Sequence, residues 1–280
     1  MEHQNINFAN QNLQNRSFKG LNLNGANFSR SDIRGCNFSN TSLREANFDG
    51  VKAGQTPKIL TFVISIACIT TIIVFHAVSK MIFGVIERTP ESPIWSYALA
   101  LSISLGVAGI ACVTMSLAPG KSFLKRIATI LSGATSGAIL GFFYGGTAAG
   151  GKNPQVAIAS AVIGALIMAA SSFYFKRGFV PVILSTSGTV TTYGFAFLIG
   201  TRAIAFLSTQ NLIWGFCLSF LSLIYIGLTL ITLCYSIKQI TTYSVTSFRA
   251  SDLTNANFNN AKLGLSDFTG AIGREIGVRS

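Results

Sequence analysis

His76 and Lys80 stand four residues apart in an apolar run, a spacing that places an imidazole and an ammonium on one face of a helix. An ionisable side chain inside a membrane is a functional candidate by default, and His76 could ligate a metal or a pigment. It has no companion, because the only other histidine is His3, and Lys80 is close enough to the end of its run to extend its ammonium to the interface. The expectation is therefore a buried, hydrogen-bonded histidine. A second candidate is the hydroxyl cluster Ser185, Thr186, Ser187, Thr189, Thr191 and Thr192. Such a row could line a solute path, with Pro181 and Gly188 loosening its helix. In lipid, hydroxyls more often bond the carbonyl one turn back or join helices. No catalytic constellation emerges: Asp and Glu are absent from the apolar runs, no Ser or Cys has a base partner, and there is no phosphate loop. Neither enzymatic activity nor a cofactor or metal is expected.

The elements that must carry these residues are apolar. Half of the 280 residues are hydrophobic and only 11% are charged, against about a quarter in soluble proteins. Six runs are long enough to cross a hydrocarbon core as helices: 59–85, 94–117, 127–147, 156–175, 179–199 and 212–237, with "AIAFL" able to prolong the fifth. In the third, Gly133, Gly137, Gly141 and Gly145 recur every four residues, and the fourth answers with Ala157, Ala161, Ala165 and Ala169. Small residues at this spacing let two helices approach closely, so a tight hairpin of spans three and four is expected, with a glycine-lined pore as the alternative.

An even number of spans brings both ends of the chain to one face. Near the membrane that face carries eight basic residues (Lys52, Lys58, Lys121, Lys125, Arg126, Lys176, Arg177, Lys238), and the other carries four (Lys80, Arg88, Lys152, Arg202). The positive-inside rule then predicts that both termini are cytoplasmic. Trp95, Tyr97 and Trp214 begin spans on the opposite face, as an aromatic belt would require. The N-terminus lacks the basic stretch and apolar core of a secretory signal. The net charge of +12 is distributed along the chain rather than concentrated, so nucleic-acid binding is not expected. The odd, scattered Cys36, Cys68, Cys112, Cys217 and Cys234 point to neither disulfides nor zinc.

The flanks, 1–57 and 239–280 around a helical segment 58–238, follow another rule. A large apolar residue recurs every fifth position at Phe8, Leu13, Phe18, Leu23, Phe28, Ile33, Phe38, Leu43 and Phe48, and again at Phe248, Leu253, Phe258, Leu263 and Phe268. Five fits neither the 3.6 period of a helix nor the period of two of a strand, but it fits a chain that turns a corner every five residues around a common axis. Asn7, Asn12, Asn22, Asn27, Asp32, Asn37 and Asn47 precede the centres, where a short amide or carboxylate can bond the backbone of a corner.

With "GANFS" at 25–29, "GCNFS" at 35–39 and "REANFDG" at 44–50, the flanks resemble the pentapeptide repeats, whose motif is roughly A-[DN]-[LF]-X-X. The resemblance implies a right-handed quadrilateral β-helix with a small inward residue two before each centre. Ala26, Ser31, Cys36, Thr41, Ala46, Ser251, Ala256, Ala261 and Ser266 fit this position, whereas Ile6, Gln11, Arg16 and Leu21 depart from it, so the first coil is expected to be irregular or a cap. If four repeats make a turn, residues 20 apart stack, giving aromatic walls of Phe8, Phe28 and Phe48 and of Phe18 and Phe38, with aliphatic walls between them. Each block alone is too short for a stable solenoid, so the two are expected to stack, joined by one linking face around Ala53 or Tyr243, within a chain or between chains.

The fold expected is thus an α-helical transmembrane bundle of about six spans bearing a small β-helix. The function expected is a membrane-anchored scaffold that docks another protein or membrane complex, with Arg30, Arg34 and Arg44 contacting a partner or anionic headgroups. Its setting would be a bacterial inner or thylakoid membrane, since the resemblance implies a cyanobacterial type; homo-oligomerisation is left open. The alternative is a transporter or channel, or its regulatory subunit, with a path through spans three to five.

Overall fold

The computed structural model describes residues 6–86, 91, 95–119, 122–151, 153–175 and 178–273. His3, Arg88, Lys121, Lys152, Lys176 and Arg177 lie outside the described residues. The chain divides into a repeat unit, Met1–Phe62 with Thr241–Ser280, and a helical unit, Val63–Ile240.

In the repeat unit the backbone climbs by 20 residues per turn. Parallel bridges join Asn7 to Asn27, Asn27 to Asn47, Asp32 to Lys52 and Asn22 to Ser42, and among the described residues these contacts are isolated bridges rather than strands. The corners follow from local chemistry. The Leu21 N–H bonds the Phe18 carbonyl, and that of Ser31 the Phe28 carbonyl, with a positive φ at the third residue of each turn, Gly20 and Arg30. That is the pattern of a type II turn, in which glycine or asparagine is favoured. Leu265 stands where the next positive φ is due, and Gly264 takes it one position earlier.

The two blocks form one stack within the chain. Asn37 bridges Ser247, Ser42 bridges Asp252, Asn47 bridges Asn257 and Lys52 bridges Lys262. Phe248 takes the place that residue 58 would have held, so the linking face is Ala53, which is buried beside Val51. One aromatic column runs Phe8, Phe28, Phe48, Phe258, with centroids 5.0, 4.9 and 4.8 Å apart. The other runs Phe18, Phe38, Phe248, Phe268 at 5.0, 5.1 and 4.9 Å. Rings of the two columns meet edge to face, as in Phe28 with Phe38 at 88°. Leu13, Ile33, Leu43 and Leu253 fill the spaces between and are inaccessible or nearly so. Phe8, Phe258, Leu263 and Phe268, expected in the core, are only partly buried because they sit toward the open ends of the stack. The first coil keeps its bridges and is regular, and its outsized Gln11, Arg16 and Leu21 are exposed.

The helical unit contains six helices apolar and long enough to span a membrane. They are α1 (Pro57–Val85), α2 (Trp95–Leu117), α3 (Phe123–Ala148), α4 (Pro154–Tyr174), α5 (Val180–Ser208) and α6 (Leu212–Thr241). Residues 203–207 do prolong α5. Ser122 caps α3 by accepting from the Lys125 N–H, and Asn153 caps α4, with Pro154 in its first turn. The most apolar stretch of α5 is 67% buried against 11% for α4, which makes α5 the internal helix. Exposed Ile72, Phe83, Leu166, Ile213 and Phe220 cover the outer faces, as a lipid-facing surface requires.

Candidate functional site

The outer wall of the repeat unit is organised by the residues before each centre. Asn7, Asn27, Asn37, Asn47 and Asn257 each accept, through Oδ1, the N–H of the residue two further on at 2.9–3.0 Å. Each short amide thereby holds its own corner. Asn7, Asn27, Asn47 and Asn257 succeed one another through bridges on one wall, and Asn257 Nδ2 donates to Asn47 Oδ1 at 3.2 Å. The result is a row of amides in register, each tied to its own corner and, at the step from Asn47 to Asn257, bonded to its neighbour.

Inside, the small position does more than leave room. The Cys36 thiol donates to the Leu13 carbonyl (2.9 Å), the Thr41 hydroxyl to Phe18 (2.9 Å) and the Thr246 hydroxyl to Ile33 (2.8 Å), each tying one coil to the previous one. These bonds were unforeseen in the repeat grammar, which required only smallness; the signal was Ser, Thr or Cys in place of Ala. Burial pushes the Cys36 thiol up to about 12, which keeps it a protonated donor.

Two of the three arginines expected to contact a partner are engaged within the unit. Arg34 pairs with Asp32 at 2.5 Å and Arg44 with Asp252 at 2.5 Å, the second pair linking the blocks. The hydrogen-bonded Arg34 guanidinium holds the Asp32 carboxyl down to about 2. Asp252 falls to about 2 through the Thr254 hydroxyl first and Arg44 second. Arg30 is exposed and has no ion pair among the described residues.

In the helical unit, a Cβ on Gly137 would collide with the Gly164 carbonyl, one on Gly164 with the Gly137 carbonyl, and one on Gly141 with the Ser160 carbonyl. A Cβ on Gly133 or Gly145 would meet the side chain of Ser172 or Ser160. The tight hairpin is present: of the expected alanines, Ala157 and Ala161 lie against α3, and the other close contacts to its glycines come from Ser160, Gly164, Met168 and Ser172 rather than from Ala165 and Ala169. From Ser160 onward the contact row keeps the spacing of four but runs one residue earlier than the alanines, through Ser160, Gly164, Met168 and Ser172.

His76 is exposed on α1, contrary to the burial expected, and its Nδ1 lies 3.3 Å from the Tyr144 hydroxyl. Apart from Lys58, His76, Lys80 and scattered hydroxyls, helix α1 is apolar around its circumference, so its sequence does not indicate which face turns inward. Among the described residues there is no cluster of His, Cys, Asp or Glu suited to a metal. The hydroxyls of α5 bond their own helix: Thr186 to Val182, Thr189 to Ser185 and Thr192 to Gly188, at 2.6–2.9 Å. Thr189 also meets Ser236 of α6 at 3.1 Å. Ser132, Ser136 and Ser187 are buried with no hydrogen-bond partner among the described residues.

A family model described as pentapeptide repeats matches residues 4–40, 22–55 and 246–272, in 8 copies. The two terminal tracts are pentapeptide repeats. They flank six helices long and apolar enough to span a membrane, and pentapeptide repeats at this position suggest a protein-interaction module beside a membrane-spanning region. No curated protein and no solved structure matches the chain.

Proposed function

We propose that the protein is a membrane-anchored assembly scaffold whose pentapeptide repeats form a right-handed quadrilateral β-helix and present it to a partner at the cytoplasmic face of a bacterial membrane. The observation that carries this reading is the row Asn7, Asn27, Asn47 and Asn257, built from both ends of the chain, joined by backbone bridges on one wall, with each amide fixed to its own corner. Side chains already locked in register lose little freedom on binding, so a flat wall of this kind is suited to docking. The lysine and arginine excess at the ends of the spans supports the cytoplasmic orientation.

The test is a pair of substitutions on that wall, Ser29→Glu with Asn259→Glu, followed by isolation in mild detergent. The variant should insert into the membrane and keep its melting temperature while losing its co-purifying complex. Unchanged association after such substitutions on every wall would exclude the docking role.

A second reading, a solute path through α3 and α5, is favoured by the buried hydroxyls of Ser132 and Ser187, which have no hydrogen-bond partner among the described residues. Solute flux in liposomes that falls on Ser187→Ala would support it; absence of flux from the wild-type protein would exclude it.

A further inference from the structure

A cavity of about 510 Å³ opens at the end of the helical unit where α3 and α5 begin and α2, α4 and α6 end. Its wall carries two cations on adjacent positions, Lys125 and Arg126, together with Ser122, Tyr235 and Gln239. Lys125 Nζ lies 5.4 Å from the centre of the Tyr235 ring, and the Arg126 guanidinium lies 4.5 Å from that of Phe173. Aromatic faces hold the two cations here, and neither makes an ion pair among the described residues.

The charge around the cavity is uncompensated within the helical unit. Between residues 57 and 241 the only carboxylates are Glu87 and Glu91, in the connection from α1 to α2, whereas α2 reaches the cavity with its last turn at Met115. Lys238 is near enough to repel Lys125. The connections from α2 to α3 and from α4 to α5 add Lys121, Lys176 and Arg177 in the sequence. The positive end of the α5 dipole lies at this end of the unit and also favours an anion.

The rest of the lining defines the kind of anion. The Ser122 oxygen accepts from the Lys125 N–H, which leaves the Ser122 hydroxyl hydrogen able to donate. Thr129 and Ser172 already donate to carbonyls of their own helices. The donors thus include two cations and the Ser122 hydroxyl, beside the Tyr235 hydroxyl and the Gln239 amide, which bond each other, and such donors suit phosphate oxygens. Met115, Pro181 and Leu184 supply apolar surface, and Phe173 and Phe175 are exposed on the outside of the helical unit, which would face acyl chains. A polar end with uncompensated positive charge, opening beside lipid-facing aromatics, fits an amphipathic ligand.

We propose that this cavity binds the phosphate of an anionic membrane phospholipid, with Lys125 and Arg126 as its cationic ligands. A basic recess between spanning helices is a recurrent solution for lipid phosphates. Inorganic phosphate offers the same oxygens without the acyl chains, so the two sources can be separated.

The test uses the delipidated full-length protein in neutral detergent, with native mass spectrometry and melting temperature as readouts. Phosphatidylglycerol should bind and raise the melting temperature, and phosphatidylcholine should bind at least tenfold more weakly. Lys125→Gln with Arg126→Gln should weaken phosphatidylglycerol binding at least tenfold, while the charge-conserving Lys125→Arg with Arg126→Lys, and Lys80→Gln elsewhere, should retain it. Equal binding by the glutamine variant, or equal binding of both lipids, would overturn the proposal. An equal shift with inorganic phosphate alone would overturn the assignment to a lipid.

Discussion

The Thr246 hydroxyl donates to the carbonyl of Ile33, 213 residues earlier in the chain, at 2.8 Å. The same oxygen accepts the Gly54 N–H at 2.9 Å, and the Thr246 N–H returns to the Gly54 carbonyl at 3.0 Å. One buried side chain therefore closes the joint at which the first block ends and the second begins. Thr246→Val keeps the shape, leaves the Gly54 N–H unpaired and removes one of the two bonds to the Ile33 carbonyl, which also accepts the Cys36 N–H, and this should destabilise the joint by about 1–3 kcal/mol. Thr246→Ser should be milder. Hydrogen exchange of residues 246–272 reads the effect directly; tryptophan fluorescence would not, since Trp95 and Trp214 lie in α2 and α6.

The corners make a prediction of opposite sign. Glu45 is exposed and holds a φ of 59°, a conformation that glycine adopts without penalty. Glu45→Gly should stabilise the repeat unit by up to about 1–2 kcal/mol, the usual penalty for a left-handed residue. Gly25→Ala, at φ 67° in open space, should destabilise it by a similar amount. Protection of the coil amides against exchange distinguishes the two.

Acid should loosen the repeat unit. The carboxyls of Asp32 and Asp252 are depressed to about 2 from 3.8, so their contribution to stability is complete above the unfolded value and is lost as pH falls through about 2. Protease susceptibility of the repeats should therefore rise between about pH 4 and pH 2. Asp32→Asn with Asp252→Asn should flatten that dependence; an unchanged profile would show that these carboxylates do not set it.

The α3–α4 hairpin should be intolerant of a single methyl group. Gly137→Ala and Gly164→Ala each force two backbones apart and should destabilise the helical unit by about 1–3 kcal/mol, the usual range for overpacking. Gly227→Ala, with nothing within 4 Å of the added carbon, is the matched control. Resistance to unfolding in mixed detergent micelles ranks the three variants.

These relationships differ in how far the sequence reveals them. The columns of the repeat unit are legible because a strict period of five leaves one arrangement that buries every Phe and Leu centre. Ala53 is harder to recognise as a face: Val51 occupies the small position and Ala53 the centre, so the volumes are exchanged. The cohesion of α3 and α4 is legible in the glycines, but from Ser160 onward the row on α4 runs one residue earlier than the alanines and cannot be read by counting them. The basic cavity draws on five helices and becomes visible only when their ends come together, although Lys125 and Arg126 stand side by side in the chain. The surroundings of His76 depend on the rotation of α1, which carries no pattern to fix it.

The central claim is that both ends of one chain build one stack. Ser39 Oγ and Ser247 Oγ lie 3.1 Å apart across the joint, a separation suited to a disulfide after Ser39→Cys and Ser247→Cys. The measurement is mass spectrometry of the cross-linked peptide from mixed light and heavy chains, in a background with Cys36→Ser and the other four native cysteines replaced by alanine. The account predicts a disulfide joining only light to light and heavy to heavy. No disulfide, or links between light and heavy chains, would contradict it.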